Sequence, residues 1–165
     1  VTLQACRQFL RHRPQAQLRL VGLPSARPSE LPERCSWVDA SEVVAMDDTV
    51  EVALRRKRDS SMRRAIEEVK DRRAQAAVSA GNTGAQMAAS AVQLRLHEGL
   101  TRPAIGTLLP TGRGIPLVML DAGANVDCSP QELLQFGHRR LGRRANRPQG
   151  TGRVRDDNFL LRLQG

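Results

Sequence analysis

The N-terminal part of the chain shows two hydrophobic periods in succession. Residues 1–13 carry apolar side chains at helical spacing, and Pro14 ends that pattern. Residues 17–22 alternate polar and apolar side chains and end at a glycine, which is the pattern of a short strand. A helix followed directly by a strand predicts the α/β class.

Shorter elements are predicted next. Three prolines make residues 24–34 a loop with room for one short helix. Residues 36–39 and 43–46 are candidate strands. Asp48, with Glu51 three residues later, has the pattern of a helix N-cap and predicts a short helix behind it.

A second helix is predicted after residues 59–61, which offer an aspartate and two serines as the N-cap. Its apolar side chains fall on one face, and the other face carries two i,i+4 ion pairs, Arg63 with Glu67 and Arg64 with Glu68. Such pairs stabilise a helix by only about 0.2–0.5 kcal/mol each. They therefore predict a solvated face and carry no function.

The pattern changes abruptly at Gly81-Asn82-Thr83-Gly84, where an apolar run meets an alanine-rich helical run. Residues 76–80 are predicted to be a strand, followed by a tight turn and a helix. The two glycines allow a positive φ or a close backbone approach, and the first N–H groups of a helix lack internal partners. The turn therefore suits an anion, such as phosphate or an oxyanion. The alternative is an ordinary connection with Asn82 or Thr83 as the N-cap.

Two nearly all-apolar runs, residues 103–110 and 116–121, are predicted to be strands. Continuous apolar character is typical of strands that are covered on both faces in a parallel sheet. Residues 129–132 combine a serine N-cap, a proline and a glutamate in the order that begins a helix. The whole pattern predicts an α/β fold with helices on a mostly parallel sheet.

Polar, glycine-containing turns follow two of the predicted strands, and in an open parallel sheet such turns share one edge, where ligands bind. The groups gathered there are hydrogen-bond donors and acceptors, without a nucleophile and its base. The candidate residues at this edge are Ser79, Asn82, Thr83 and Gly84 in the first turn, Thr111 and Arg113 after the middle strand, and Asp121, Asn125 and Asp127 in the last turn.

Two further features have both a structural and a functional interpretation. The basic run at residues 55–58 either complements a helix end and stays solvated, or lets Lys57 or Arg58 reach a phosphate or an acidic partner. Cys128 lies near a predicted helix start, which lowers a thiol pKa, but no base accompanies it. The three histidines match no triad or zinc pattern and are expected to be surface or helix residues.

Composition narrows the class of protein. A hydrophobic content of 40% supports a packed core, and no apolar run approaches the roughly 18–20 residues that span a bilayer. The expected compartment is the cytoplasm. Three widely spaced cysteines indicate reduced thiols, and neither a disulfide framework nor a zinc site.

The net charge of +9 is concentrated at the C-terminal end. Residues 137–165 contain eight arginines, two aspartates and no lysine. We interpret this segment as an aberrant, frame-shifted or disordered tail, because enrichment in arginine, glycine and proline without lysine is typical of out-of-frame translation of G·C-rich DNA. We therefore expect no nucleic-acid partner; the alternative is a genuine basic arm that binds nucleic acid.

Four segments, in order and spacing, resemble the PlsX-type phosphate acyltransferases of bacterial phospholipid synthesis. They contain R-R-K-R-D-S-S-M at residues 55–62, S-A-G-N-T-G-A at 79–85, R-P-A-I-G-T-L-L-P at 102–110 and D-A-G-A-N-V-D at 121–127. The resemblance covers residues 3–136. It implies a three-layer αβα sandwich of the isocitrate/isopropylmalate dehydrogenase-like kind.

The resemblance also implies a reaction in which inorganic phosphate attacks the thioester of an acyl-acyl carrier protein. The product, acyl phosphate, then goes to a membrane glycerol-phosphate acyltransferase, which implies a position at the inner face of the membrane. A homodimer is implied, and no metal or organic cofactor is required. The catalytic residues carried over from the resemblance are Asn82, Thr83, Lys57 and Asn125. The substrate- or phosphate-binding residues carried over are Ser79, Gly81, Gly84, Arg58, Ser60, Ser61 and Asp127.

Two departures from the family pattern bear on these expectations. Family members normally begin with a strand carrying a D-x-M-G-G-D motif and continue for about as long again after the L-L-Q-F segment. We therefore expect residues 1–136 to be a partial domain with an incomplete sheet. A phosphotransacetylase-like enzyme that uses coenzyme A thioesters, and a non-catalytic gene remnant, stay open as alternatives.

Overall fold

The computed structural model describes residues 2–96, 98–112, 116–121 and 127–136. These fall into two compact units, the first ending at Ala89 and the second beginning at Ser90. In chain order, the first unit contains helix α1 (Thr2–His12), strand β1 (Leu18–Gly22), strand β2 (Cys35–Asp39), helix α2 (Ser61–Lys70) and the start of helix α3 (Thr83–Leu94). The second contains strand β3 (Gly106–Leu109), strand β4 (Leu117–Leu120) and helix α4 at residues 130–136.

Strands β1 and β2 form a parallel pair, in register from Leu18 opposite Cys35 to Gly22 opposite Asp39. The loop between them contains one short 3-10 turn, Pro24–Ala26, as the prolines predict. Helix α2 packs against β1. The α/β class is thus confirmed, with a small parallel sheet in the first unit.

An arginine from the loop before β2 holds the end of α1. Arg34 has a φ of 63°, and its guanidinium donates to the carbonyl oxygens of Leu10 at 3.1 Å, Pro14 at 2.5 Å and Ala16 at 3.3 Å. The last carbonyls of a helix lack partners within the helix. Arg34 therefore satisfies the Leu10 carbonyl in the last turn of α1, and its bonds to Pro14 and Ala16 hold the segment that follows the helix.

The core of the first unit lies between α2, α3 and the irregular segment that precedes α2. Ser60 is the N-cap of α2, as predicted, and accepts a hydrogen bond from the Arg63 N–H at 3.4 Å. The buried hydrophobic residues of this core are Val44, Ala53, Met62, Ile66, Ala85 and Ala89.

The outer face predicted for α2 is only partly confirmed. Arg63 pairs with Glu67 at 3.4 Å, but Arg64 pairs with Asp59 at 2.5 Å, and not with Glu68. Glu68 is 6% exposed and points inward, where Arg19 on β1 approaches it to 2.6 Å. The predicted Arg64–Glu68 pair is wrong because β1 supplies a nearer cation for a carboxylate on the buried side.

Two predicted strands of the first unit are absent. Residues 43–46 and 76–80 are in neither helix nor strand. A single bridge between Glu42 and Ser60 is the only isolated pairing in the described part of the chain. Apolar periodicity identifies segments that can pair, but a strand forms only where a neighbour offers its own hydrogen-bonding edge.

The second unit corrects the predicted strand direction. Strands β3 and β4 are antiparallel, with Gly106 opposite Leu120 and Leu109 opposite Leu117. Only residues 110–116 join them, whereas a parallel connection needs a crossover of a dozen or more residues. The described residues do not cover both faces of either strand, since Leu108, Leu117 and Met119 are each more than 40% exposed.

Helix α4 begins as the sequence predicts. The Ser129 hydroxyl accepts from the Glu132 N–H at 3.3 Å, and the Glu132 carboxylate accepts from the Ser129 N–H at 2.8 Å. This reciprocal arrangement is a capping box. Among the helices of the described residues, none combines the length and apolar character that crossing a membrane requires.

Candidate functional site

The start of α3 is capped by its own preceding residue. The Asn82 side-chain oxygen accepts from the Ala85 N–H at 3.0 Å, and the Asn82 carbonyl accepts from the Gln86 N–H at 3.0 Å. This confirms the interpretation of Asn82 as the N-cap. The Thr83 and Gly84 N–H groups donate to no group in the described residues. Two donors therefore remain at the positive end of a 12-residue helix, which suits an anion.

The side-chain nitrogen of Asn82 reaches a different part of the chain. It lies 3.3 Å from the Ala45 carbonyl oxygen, 3.2 Å from that of Met46 and 2.8 Å from that of Asp48. Asn82 therefore joins the loop at residues 43–48, which we call the carbonyl loop, to the start of α3.

The carbonyl loop also binds Lys57. The Lys57 ammonium lies 2.5 Å from the Asp48 carboxylate and donates to the Val43 carbonyl oxygen at 2.9 Å. The Asp48 carboxylate also accepts from the Ala45 N–H at 2.7 Å. The hydrogen bond from Lys57, followed by that from Ala45, lowers the pKa of Asp48. Asp48 is ionised at neutral pH and holds Lys57 against the loop.

The predicted role of Asp48 as an N-cap is wrong. Thr49 provides the cap, since its hydroxyl accepts from the Val52 N–H at 3.3 Å at the start of a π-helical turn, Val52–Arg56. The Asp48 carboxylate turns back to Ala45 and Lys57 instead, because a cation and a backbone donor together offset its desolvation better than one N–H group.

The three arginines of the basic run fit the interpretation of a solvated helix end. Arg56 is exposed, and Arg55 pairs with Glu51 at 3.1 Å while both side chains stay more than 70% exposed. Arg58 donates to the Arg55 carbonyl oxygen at 3.1 Å. The arginines form a solvated surface, and Lys57 is the member of the run that turns toward the carbonyl loop.

The segment before α2, residues 59–61, makes hydrogen bonds that stabilise the local fold. Ser60 is 1% exposed, and the Ser61 N–H donates to the Glu42 carbonyl oxygen at 2.9 Å. Asp59 accepts from the hydroxyl and N–H of Ser41 and from Arg64, and the Ser41 hydrogen bonds lower its pKa most. These contacts hold the chain that connects Lys57 to α2.

The glycines of the turn act through space and not through a positive φ. In the described residues, the only glycine with a positive φ is Gly99. A Cβ atom on Gly81 would lie 3.3 Å from the Met62 methyl group and 3.4 Å from the Ser79 hydroxyl, which itself accepts from the Gly81 N–H. The sequence prediction of close approach therefore holds for Gly81, and the positive φ does not occur.

The second unit contains the remaining described candidates, Asp121, Asp127 and Thr111. The Cys128 sulfur lies 3.8 Å from the Asp121 carboxylate, and burial, reinforced by that carboxylate, raises the Cys128 pKa. The expectation of a lowered thiol pKa is wrong, because burial first, and then the neighbouring Asp121 carboxylate, disfavour the thiolate. Asp127 and Thr111 are exposed. Arg113 and Asn125 lie outside the described residues.

The structure therefore brings Lys57 and Asn82 together around Asp48, with Thr83 and Gly84 directly behind Asn82. Sequence reasoning missed Asp48 as a member of this group. The signal was present in the acidic pair Asp47–Asp48 ahead of a basic run, but periodicity does not show which acid turns inward. Among the described residues, no three metal-ligating side chains lie together.

Comparison with known proteins identifies this α/β protein as a lipid-metabolism family member. The family described as "Fatty acid synthesis protein" matches residues 3–143, and the chain belongs to that family. It is 60% identical over 136 residues to the phosphate acyltransferase of Delftia acidovorans, covering 82% of this chain and 39% of that protein. It is 57% identical to the phosphate acyltransferase of Acidovorax sp., covering 82% of this chain and 40% of that protein.

A third relative is the phosphate acyltransferase of Bordetella parapertussis, 53% identical over 143 residues, with 82% of this chain and 41% of that protein covered. The resemblance found in the sequence motifs is thereby confirmed. The chain spans about two fifths of the length of the curated relatives it matches.

Proposed function

We propose that this chain functions in phosphate acyl transfer, moving an acyl group from acyl carrier protein to inorganic phosphate. The observation that carries the proposal is the identity of 53–60% to proteins named phosphate acyltransferase. The matched region includes both Lys57 and the turn at residues 81–84. A coenzyme A-dependent transferase and a non-catalytic remnant find no comparable support.

In the proposed reaction a phosphate oxygen attacks the thioester carbonyl carbon, and a tetrahedral oxyanion forms. Its collapse breaks the C–S bond and releases the carrier as a thiolate, which takes up a proton, leaving acyl phosphate. The protein has to hold phosphate, align the thioester and stabilise the oxyanion. The reaction needs no redox step and no organic cofactor.

The start of α3 supplies the groups that this chemistry needs. We assign the Thr83 and Gly84 N–H groups to the phosphate or to the thioester oxyanion, because both donors lack a partner in the described residues. Asn82 fixes their direction as the N-cap. Further contacts are proposed for Ser79, Gly81, Arg58 and Ser61, whereas the buried Ser60 is assigned the structural role of capping α2. Asn125 and Asp127 keep only the roles that the resemblance implies.

The same proposal extends to the surroundings of the protein. Acyl carrier protein is the proposed donor, and the exposed arginines of residues 55–58 offer an acidic carrier positive charge. The proposal also includes a three-layer αβα sandwich fold and assembly into a homodimer. It further includes a position at the inner face of the membrane, next to a glycerol-phosphate acyltransferase.

The test is to incubate the purified chain with acyl-acyl carrier protein and phosphate, and to measure acyl phosphate by ³¹P NMR together with free carrier thiol. We expect the two products in equal amounts, no product without phosphate, and slower turnover of acyl-coenzyme A. Faster turnover of the coenzyme A thioester would favour the phosphotransacetylase-like alternative. Phosphate binding without any product would favour the non-catalytic one.

One substitution examines the donor at Thr83 directly. Thr83 is the first helical residue after the N-cap, a position where proline removes the N–H group while the helix is kept. We expect Thr83→Pro to lower the rate about 10²-fold, the effect of losing one oxyanion donor. The control, Thr83→Ala, keeps the N–H group and should lose far less. Equal rates for the two variants would contradict the assignment.

A further inference from the structure

We propose that Asp48 is a positioning residue for phosphate binding, acting through Lys57 and Asn82. Its carboxylate holds the Lys57 ammonium at 2.5 Å, and its carbonyl oxygen accepts from the Asn82 side chain at 2.8 Å. Asp48 therefore contacts two of the four residues for which the family resemblance implies a catalytic role, Lys57 and Asn82. The role of Asp48 rests on the proposed function, because it concerns the turn assigned to phosphate.

The contacts of Lys57 and Asn82 indicate that neither side chain binds the substrate directly and that both act by holding other groups in place. The Lys57 ammonium is shared by the Asp48 carboxylate and the Val43 carbonyl, with 28% of its side chain exposed. The Asn82 side-chain oxygen accepts a hydrogen bond from α3, and its side-chain nitrogen donates to the carbonyl loop. Neither polar group points away from this network.

The network joins three segments that are distant in sequence. The carbonyl loop precedes the basic run, and α3 begins more than twenty residues after Lys57. Asp48 connects the loop to Lys57 by its side chain and to α3 by its backbone. If the carboxylate is neutralised, the loop loses its ionic attachment, and the three carbonyl oxygens that hold Asn82 lose their fixed position. The Thr83 and Gly84 N–H groups are then held less firmly in one orientation.

A positioning role and a purely electrostatic role of Asp48 predict opposite effects on phosphate binding when its charge is removed. Removing a negative charge near an anion site strengthens anion binding if charge alone matters. Removing Asp48 weakens binding if its task is to hold the loop. The neighbouring Asp47 is exposed and makes no hydrogen bond or ion pair with a described residue, so it provides a control of equal charge.

The experiment measures the dissociation constant of inorganic phosphate for the full chain by calorimetry, at constant ionic strength, with folding checked by circular dichroism. We expect Asp48→Asn to weaken phosphate binding about tenfold. Asp47→Asn should leave binding within about twofold of the wild type, on the strong side. A melting temperature alone would not separate positioning from stability, whereas the affinity of the folded variants does.

A second pair of variants examines the route through Lys57. Lys57→Met should weaken phosphate binding about tenfold, and the double variant with Asp48→Asn should be no weaker than either single one. Lys70→Met, at the exposed end of α2, removes the same charge without these contacts and should change little. If Asp48→Asn does not fold, the comparison of Lys57→Met with Lys70→Met decides the question.

The outcomes separate this inference from the proposed function. Phosphate binding by the wild type with equal affinity in Asp47→Asn and Asp48→Asn would overturn the positioning role and leave the proposed function in place. Additive losses in the double variant would do the same. Absence of phosphate binding by the wild type would overturn the proposed phosphate site and the role of Asp48 together.

Discussion

The side chain of Asn82 caps α3 with its oxygen and holds the carbonyl loop with its nitrogen. A cap is worth about 1 kcal/mol, and a net side-chain hydrogen bond contributes a similar amount. Both contributions depend on one amide, so they disappear together when it is removed. The residue is therefore more important for stability than a capping residue alone.

We expect Asn82→Ala to lower the free energy of unfolding by about 1–3 kcal/mol. Asn82→Asp keeps the acceptor for the Ala85 N–H but loses the donors to the loop and brings a negative charge beside three carbonyl oxygens. It should also be destabilising. Urea unfolding followed by circular dichroism measures both, with the exposed Gln75→Ala as the control. Unchanged stability in Asn82→Ala would show that the cap and the loop contacts together contribute no net stability.

Glu68 is the buried carboxylate of α2, and two arginines approach it. Arg19 lies 2.6 Å from one carboxylate oxygen and Arg73 lies 3.0 Å from the other. The hydrogen bond from Arg73 is the largest cause of its lowered pKa. Glu68→Gln keeps the shape but removes the charge that both arginines face.

Glu68→Gln should therefore lower the free energy of unfolding by about 1.5–3 kcal/mol, the range for a hydrogen bond to a charged group. The control is Glu51→Gln, whose ion pair with Arg55 is exposed on both sides and should contribute under about 1 kcal/mol. Chemical denaturation of the two variants gives the comparison. An equal effect of both would mean that burial adds nothing to the Glu68 pairs.

At the scale of elements, the pairing of β1 with β2 depends on the absence of a side chain at Gly22. A Cβ atom there would lie 2.9 Å from the Trp37 ring, inside ordinary contact distance. The ring is fixed at its other end, where its N–H donates to the Asp39 carboxylate at 2.8 Å. Gly22 thus makes room for the indole across the parallel pair.

Gly22→Ala should displace the indole and break its hydrogen bond to Asp39. Trp37 is the only tryptophan of the chain, so its fluorescence emission reports the change directly. The control is Gly106→Ala on β3, where a Cβ atom would lie 3.6 Å from its nearest neighbour, an ordinary contact. An emission spectrum identical in both variants and the wild type would contradict the expected displacement.

Element positions were largely predictable from the sequence, because apolar period and capping residues act locally. Helices α1 and α2, strands β1 and β2, and the Ser129 capping box lie where the pattern predicts them. Strand partners were not predictable in the same way, since pairing depends on which other segment folding brings next to a strand. The short connection at residues 110–116 already favoured antiparallel pairing of β3 and β4, but the apolar character of the two runs led to the prediction of a parallel sheet.

For the whole molecule, ionised carboxylates give the stability its pH dependence. The pKa values of Asp48, Asp59, Glu68 and Glu132 are all lowered by hydrogen bonds from neighbouring groups. A carboxyl with a lowered folded-state pKa binds its proton more weakly when folded. Its contribution is therefore complete above the unfolded pKa, about 3.9 for aspartate and 4.3 for glutamate, and is lost as the pH falls through the folded pKa.

The free energy of unfolding should thus fall steadily as the pH is lowered from about 5 toward 2, with little change between about 6 and 7 from these four groups. Denaturant titrations at a series of pH values measure the slope. In Asp48→Asn the slope should be smaller. Stability that stays constant down to about pH 3 would contradict the assignment of these carboxylates as ionised partners.

The sequence by itself determined the family, the α/β class and the local elements, because motif order, apolar period and capping chemistry are properties of neighbouring residues. It also identified the turn at Gly81 to Gly84 as the candidate anion site. Only the tertiary structure decided that Lys57 and Asn82 meet at Asp48, and that Glu68 turns inward to Arg19. These contacts join residues that are far apart in the chain, and a charge pairs with whichever partner folding brings within reach.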